Sequence, residues 1–305
     1  MFRKAFICKP RISPLKAFRI KLLPGENPVR KIIGLAAKAR SGKDTGAAFL
    51  MEHPEVASYA LANPLKAGCQ SLFGLSNSQT WDDTAKEVRL EAWGMSPREF
   101  FQRVGTEWMR DSHDPLHWLK RADRAINHPP LPPRQLTDAE ANASETPFMR
   151  AAQEIFGFSD EQIWSEAKIE TDSFWCISPE AAIALIKKLA IQDFPDFAAR
   201  RERHVRVTCS EKPTRFELNL DGKEVIIIKD IRFENEAKYI RDLGGEIWHI
   251  VRDDATKIKV HSSEAGIAVA SGDIVIHNNG TLADYRQRIE EAWASLKARS
   301  ATGNE

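Results

Sequence analysis

A parallel α/β sheet with helices on both faces is the architecture this sequence predicts, and three observations carry it. Short apolar runs recur at residues 31–37, 58–62, 224–228, 246–251 and 273–277, each of strand length. The segments between them carry helical periodicity, and strands that alternate with helices imply parallel pairing. The first run also passes through a Gly/Ser-containing loop into an amphipathic stretch at 45–51, the order strand, anion-type loop, helix.

Taken in order, 31–37 is the first strand and 58–62 the second, closed by Asn63-Pro64. Residues 65–128 read as helical and are rich in Trp and Arg. Four of the sixteen prolines fall within 128–133 and mark a linker or rigid loop. Helical patterns resume to about residue 203. The run 224–228 is a fully buried strand that ends at Lys229-Asp230. Two further strands, 246–251 and 273–277, precede a closing helix over 281–298.

Composition narrows the class. With 42% hydrophobic and 29% charged residues in 305, the chain is neither disordered nor collagenous. Every apolar run is broken by Lys, Arg, Asp or Pro before the roughly 18 residues a membrane span needs. Cys8, Cys69, Cys176 and Cys209 are widely spaced with no CxxC pair, which reads as reduced thiols in a cytoplasmic protein. Residues 1–30 hold eight Lys/Arg against Glu26, a net +7. Against a whole-chain charge of +1, the other 275 residues carry −6. A mildly acidic body is a poor general nucleic-acid binder. The basic segment lacks the apolar core of a secretory signal. It reads as a disordered extension, or as an upstream start ahead of one near Val29.

The chain also repeats itself. Phe73-Gly-Leu-Ser-Asn-Ser-Gln-Thr-Trp81 matches Phe156-Gly-Phe-Ser-Asp-Glu-Gln-Ile-Trp164, and Trp93-Gly-Met-Ser-Pro97 matches Trp175-Cys-Ile-Ser-Pro179. The aromatic scaffold persists while the polar positions diverge. Arg98, Gln102, Arg103, Thr106 and Arg110 stand opposite Glu180, Ala184, Leu185, Lys188 and Gln192. Any chemistry therefore belongs to the first copy. Removing the 30-residue extension and one 82-residue period leaves 193 residues, one ordinary domain.

The loop Ala37-Lys-Ala-Arg-Ser-Gly-Lys-Asp-Thr45 approximates the phosphate-cradling GxxxxGK[ST] pattern. Its backbone N–H groups and the following helix N-terminus suit phosphate oxygens, and Lys43 would reach the β- and γ-phosphates. The first glycine is Ala37, and Asp44 intervenes before Thr45. That Gly-Lys-Asp-Thr spacing is nearer to the Gly-Lys-Gly-Thr of nucleoside monophosphate kinases than to GTPases or motor ATPases. Asp230, at a strand's C-terminal edge, is placed to hold a magnesium-bound water. Arg232 either neutralises a transferring phosphoryl group or pairs on the surface with Glu234 or Glu236. Arg98 and Gln102 are i,i+4, and Arg103, Thr106 and Arg110 share an α-helical face. Such a face binds phosphate or base, or is simply solvated. His261, Ser262 and Glu264 line a nucleotide pocket or cap a helix.

The ordered set resembles the bacteriophage-type deoxynucleoside monophosphate kinases. It comprises Arg40-Ser-Gly-Lys-Asp-Thr45, Ala62-Asn-Pro-Leu-Lys66, Gln102-Arg-Val-Gly-Thr-Glu107, Asp230-Ile-Arg-Phe-Glu-Asn-Glu236, His261-Ser-Ser-Glu-Ala-Gly266 and Gly272-Asp-Ile-Val-Ile-His-Asn278. The resemblance implies a three-layer P-loop kinase fold over 31–305. Within it lie an acceptor-binding helical region at 64–128 and a partly duplicated insertion at about 129–213. It implies transfer of the ATP γ-phosphoryl group to a deoxynucleoside monophosphate with Mg²⁺, in the cytoplasm, which is the host's if the chain is phage-encoded. Neither membrane nor specific nucleic acid is an expected partner. Lys43, Arg40 and Arg232 would be catalytic, and Lys38, Ala39, Arg40, Ser41, Gly42, Lys43, Asp44 and Thr45 would cradle ATP. Asp44, Thr45 and Asp230 would serve the metal. Lys66, Arg98, Gln102, Arg103, Thr106, Arg110, Arg232, Glu236, His261 and Glu264 would hold the acceptor. Competing readings are another P-loop ATPase or GTPase, although no Asn-Lys-x-Asp motif occurs, and a non-catalytic nucleotide-binding or scaffold protein that retains the fold.

Overall fold

A computed structural model describes residues 30–38, 41–129, 131, 133–207, 218–253 and 267–302. Of the basic segment 1–30, all but Arg30 lies outside them. Five strands, β1 (Lys31–Ala37), β2 (Val56–Ala60), β3 (Val225–Ile231), β4 (Glu246–Val251) and β5 (Ile274–His277), form one sheet in the order β2-β3-β1-β4-β5. Every pairing is parallel. The connections from β1 to β2 and from β3 to β4 run in opposite directions across the sheet. A crevice therefore opens at the C-terminal ends of β1 and β3, where open α/β sheets bind ligands.

Period-two alternation sorts the sheet's side chains. Ile33, Leu35, Ile227 and Trp248 face α1 (Lys43–Leu50) and α12 (Leu282–Thr302). Ile32, Ala36, Ile228 and Ile247 face α5 (His117–Asn127) and α11 (Glu234–Asp242). Full burial of each Ile or Leu among them contributes about 1.5–3 kcal/mol. At Gly34 an added Cβ would lie 2.8 Å from Ile247 and 2.9 Å from Ile240, so α11 packs here because the strand offers no side chain.

Beyond β2 stands a body of helices: α2 (Ala62–Phe73), α3 (Asn77–Trp81), α4 (Pro97–Gln102), α6 (Asp138–Asn142), α7 (Thr146–Phe156), α8 (Asp160–Trp164), α9 (Pro179–Asp193) and α10 (Phe197–Val207). Its core is aromatic. Phe73 stacks on Phe100 at 4.0 Å, and Trp93 meets both edge-on at 5.2 and 5.6 Å. α2 and α7 approach closely because Gly68 faces Ile155, where a Cβ would come within 2.5 Å.

The sequence repeat is also a backbone repeat. Gly74 and Gly157 end α2 and α7 at φ 73° and 70°. Ser76/Gln79 and Ser159/Gln162 then form capping boxes at α3 and α8. Isolated bridges follow, Leu90 with Met95 and Asp172 with Ile177. Ser96 and Ser178 then cap helices that open on Pro97 and Pro179. Within the bridged turns Gly94 has φ 67°, and its counterpart Cys176 has φ 57°. Beyond that point the copies part. α9 continues regularly for 15 residues. α4 instead passes into a π-helix, Arg103–Asp111, whose i→i+5 register is rare and frequent at functional sites. The Trp118 indole donates to the Gly105 carbonyl within it at 2.9 Å.

Several sequence boundaries move, two of them by more than a residue at the sheet. The second strand occupies 56–60, and Asn63-Pro64 lies in the first turn of α2, where a missing N–H costs nothing. The third strand runs on through Asp230 to Ile231. No helix among the described residues is long and apolar enough to cross a membrane.

Candidate active site

β1 ends at Ala37 and α1 begins at Lys43, so the loop between them borders the crevice. Gly42 is the N-cap of α1 in the left-handed conformation, φ 93° and ψ 17°, and no side chain caps the helix. With no side chain at the cap, the helix dipole at this end favours an anion. The loop is braced from the far side of the sheet. Asn278, just past β5, donates through Nδ2 to the Ser41 carbonyl at 2.9 Å. The Tyr285 hydroxyl of α12 donates to the Gly42 carbonyl at 3.0 Å. A Cβ on Gly42 would collide with Asn278, and one on Gly46 with the Tyr285 hydroxyl.

Lys43 is half-buried, and burial lowers its ammonium pKa below the usual lysine value. Asp44 opposes that shift, while Arg232 and Lys229 reinforce it. A desolvated ammonium among two further cations gains most from a polyanion. The charge around Lys43 favours an anion, as the helix N-terminus does.

The turn after β3 is held by one carboxylate. Glu236 is 7% exposed and accepts the backbone N–H groups of Arg232 and Phe233 at 2.9 and 3.1 Å. Burial pushes its carboxyl pKa up, against those N–H groups and the nearby Arg110 and Arg232. Arg110, in the last turn of the π-helix, donates to Glu236 at 3.3 Å and lies 3.3 Å from the Phe233 ring centroid. The π-helix is thereby fixed to the segment that carries Arg232.

Beside this turn lies a cavity of about 620 Å³ between the ends of β2 and β3, α5, α2 and α7. Lys229, Tyr59, Trp81, Arg121 and Phe158 are among its lining residues. Its size suits a nucleotide-scale ligand. Lys229 belongs both to the cavity wall and to the cations acting on Lys43.

The residues singled out from sequence are placed as follows. Ser41, Gly42, Lys43, Asp44 and Thr45 form the loop and the first turn of α1, and Lys38 is exposed just after β1. Arg232, Glu236 and Arg110 cluster at the end of β3. Asp230 is in β3, but its side chain lies outside the described residues, as do Ala39, Arg40, His261 and Glu264. The Lys66 ammonium stands 5.1 Å over the ring of Trp81, which lines the cavity while Lys66 does not. Arg98 pairs with Glu87, and Gln102 and Thr106 are exposed. Arg103 reaches Asp193 at 3.4 Å and Glu107 at 3.7 Å. None of these four lines the cavity. The expected shared face of Arg103, Thr106 and Arg110 needed 3.6 residues per turn. The π register breaks that spacing, and Arg103 and Arg110 reach different elements.

Sequence reasoning missed Tyr59, Trp81, Lys229 and Arg121. For Arg121 a signal existed, a charge on the apolar face of α5, where it is buried with Leu119, Ala122 and Ile126. It also missed an anchor behind the second half of the sheet. Asp273 accepts from Arg241 at 2.7 Å and from the Ala270 N–H at 2.9 Å, and lies 2.9 Å from His249 Nε2. Burial alone would raise its carboxyl pKa, but these partners hold it at about 2.

Comparison with known proteins agrees with this geometry. The sequence matches the family model described as deoxynucleotide monophosphate kinase over residues 31–91 and 202–289. It is 25% identical over 269 residues to the deoxynucleotide monophosphate kinase of Enterobacteria phage T4, covering 87% of this chain and 100% of that protein. It is 23% identical over 261 residues to a protein of Acanthamoeba polyphaga mimivirus named as a candidate deoxynucleotide monophosphate kinase, covering 85% and 93%. A 65-residue stretch is 32% identical to the deoxynucleotide monophosphate kinase of Escherichia phage RB69, covering 21% and 27%.

Proposed function

We propose that the chain, which is similar to the phage-type deoxynucleotide monophosphate kinases over most of its length, is an ATP-dependent phosphotransferase whose loop at Ser41–Thr45 holds the donor while the neighbouring cavity holds the acceptor. One observation carries this assignment: Lys229 lines the cavity and also acts on Lys43, so an acceptor phosphate at the cavity mouth lies beside the donor phosphates.

An oxygen of the acceptor phosphate attacks the γ-phosphorus, the bond from that phosphorus to the β–γ bridging oxygen breaks, and ADP leaves with the electron pair. The products are ADP and a deoxynucleoside diphosphate. The protein contributes position and charge rather than a covalent intermediate. Lys43 neutralises β- and γ-oxygens, and the N-terminus of α1 favours them through its dipole and N–H groups. Arg232 and Lys229 neutralise charge on the transferring and accepting groups. Glu236 and Arg110 fix the turn that carries Arg232.

The donor set fits a magnesium ion that arrives with the nucleotide. Asp44 and Thr45 stand in the first turn of α1, and the described residues contain no cluster of three acids or histidines that would cage an ion on its own. Magnesium keeps waters and substrate oxygens and needs only one or two protein ligands. Asp44, Thr45 and Asp230 are the residues that would hold it, and it would supply further neutralisation of the phosphate oxygens.

The test is a panel of ribo- and deoxynucleoside monophosphates with ATP, read as ADP release. Deoxynucleoside monophosphates should support turnover, and Lys43→Ala should abolish it while circular dichroism stays native. Turnover like wild type in Lys43→Ala, or ATP hydrolysis indifferent to any monophosphate, would sink the assignment.

A further inference from the structure

Arg121 is more than nine-tenths buried, and no ion pair joins it to a carboxylate among the described residues. Its Nε donates to the Glu154 carbonyl at 2.9 Å. Its Nη1 is buried with no hydrogen-bond partner. The hydroxyl of Tyr59 is likewise buried without a partner, and the charges of Arg121 and of Glu154, which also lines the cavity, act on it in opposite directions. Both residues line the same cavity. An unmatched guanidinium and an unmatched hydroxyl in one buried wall are costly for the empty protein, since each has lost water without replacement.

We propose that Arg121, assisted by Tyr59, reads the hydrogen-bond-accepting edge of the acceptor's base. This rests on the cavity's being the acceptor site. The phosphate end is accounted for by Lys229 and Arg232, which act on Lys43. The wall built by α5 and α7 is left for the base. Trp81 and Phe158 supply aromatic surface there. Adjacent N–H donors of a guanidinium match paired acceptors, such as O6 and N7 of guanine, whereas adenine presents its N6 amino donor beside N7. Arg121 is therefore a specificity-determining residue. The second copy contributes to this wall, since Arg121 is seated against the Glu154 carbonyl at the end of α7 and against Gly157, at the start of that copy.

The test measures dGMP and dAMP binding to the full chain by calorimetry without ATP, together with KM and kcat. In Arg121→Met, dGMP affinity should fall about 10- to 100-fold, with the KM for ATP unchanged. Tyr59→Phe removes only an unpartnered oxygen, so it should weaken dGMP binding while raising Tm. A residue with a merely structural role would not separate those two readouts. If Arg121→Met does not fold, Tyr59→Phe decides alone. Unchanged dGMP affinity in the folded variants overturns the base-reading role and leaves the kinase reading standing. Wild-type protein that binds no deoxynucleoside monophosphate overturns both this inference and the acceptor assignment.

Discussion

Gly42→Ala isolates what the phosphate loop requires of its backbone. At φ 93° an alanine is strained by about 1–2 kcal/mol. Its Cβ also overlaps Asn278 Nδ2, which must withdraw and lose its 2.9 Å bond to the Ser41 carbonyl, a loss of about 1 kcal/mol. The two effects sum to about 2–3 kcal/mol. Carried into the donor cradle, they correspond to a fall of about 30- to 150-fold in kcat/KM for ATP. A coupled ADP-release assay with ATP varied at saturating acceptor reads this directly. The double variant Gly42→Ala/Asn278→Ala separates the parts, because removing Asn278 relieves the overlap but not the strained φ. The double variant should therefore cost less than the sum of the two single changes. Full additivity, or a kcat/KM like wild type in Gly42→Ala, would show that the loop does not depend on this brace.

Two further outcomes concern stability. Cys176→Gly should raise stability by about 1 kcal/mol, because φ 57° suits the glycine that the first copy carries at Gly94; a differential scan showing no gain would contradict this. His117 is fully buried and its Nδ1 lacks a partner; burial, reinforced by His113, pushes its pKa down to about 3. The unfolded chain takes up this proton near pH 6.5 and the folded chain does not, so the stability contribution is complete above about 6.5 and is lost as pH falls toward 3. Between pH 7 and 5 the loss is about 2 kcal/mol. His117→Phe should flatten that part of the Tm-against-pH curve, and an unchanged slope would count against the buried neutral imidazole.

The sheet was legible because its information is local. Each strand is one apolar run, and the loop to Lys43 is contiguous. The strand order is not written in any one run, since it emerges from which helices cover which face. The acceptor side was much less legible. Tyr59, Trp81, Arg121 and Lys229 come from four elements, and no spacing rule joins them. The Arg98–Arg110 pattern pointed to one face because it assumed an α-helix. The π register comes from tertiary contacts such as the Trp118 indole on the Gly105 carbonyl, which helical periodicity does not encode. Glu236 fell within a matched motif, but its place as the carboxylate that holds the Arg232 turn needed the geometry of that turn.

The brace on the phosphate loop has a consequence for the order in which the site comes into being. The strand, loop and helix that bear Lys43 are among the first described parts to leave the ribosome, whereas Asn278 and Tyr285 follow more than 230 residues later. A nascent chain that has emerged only through β4 already has Lys43 and Arg232, but neither tether on Ser41 and Gly42. Both tethers on the loop are thus in place only once α12 has docked, long after the loop itself is made.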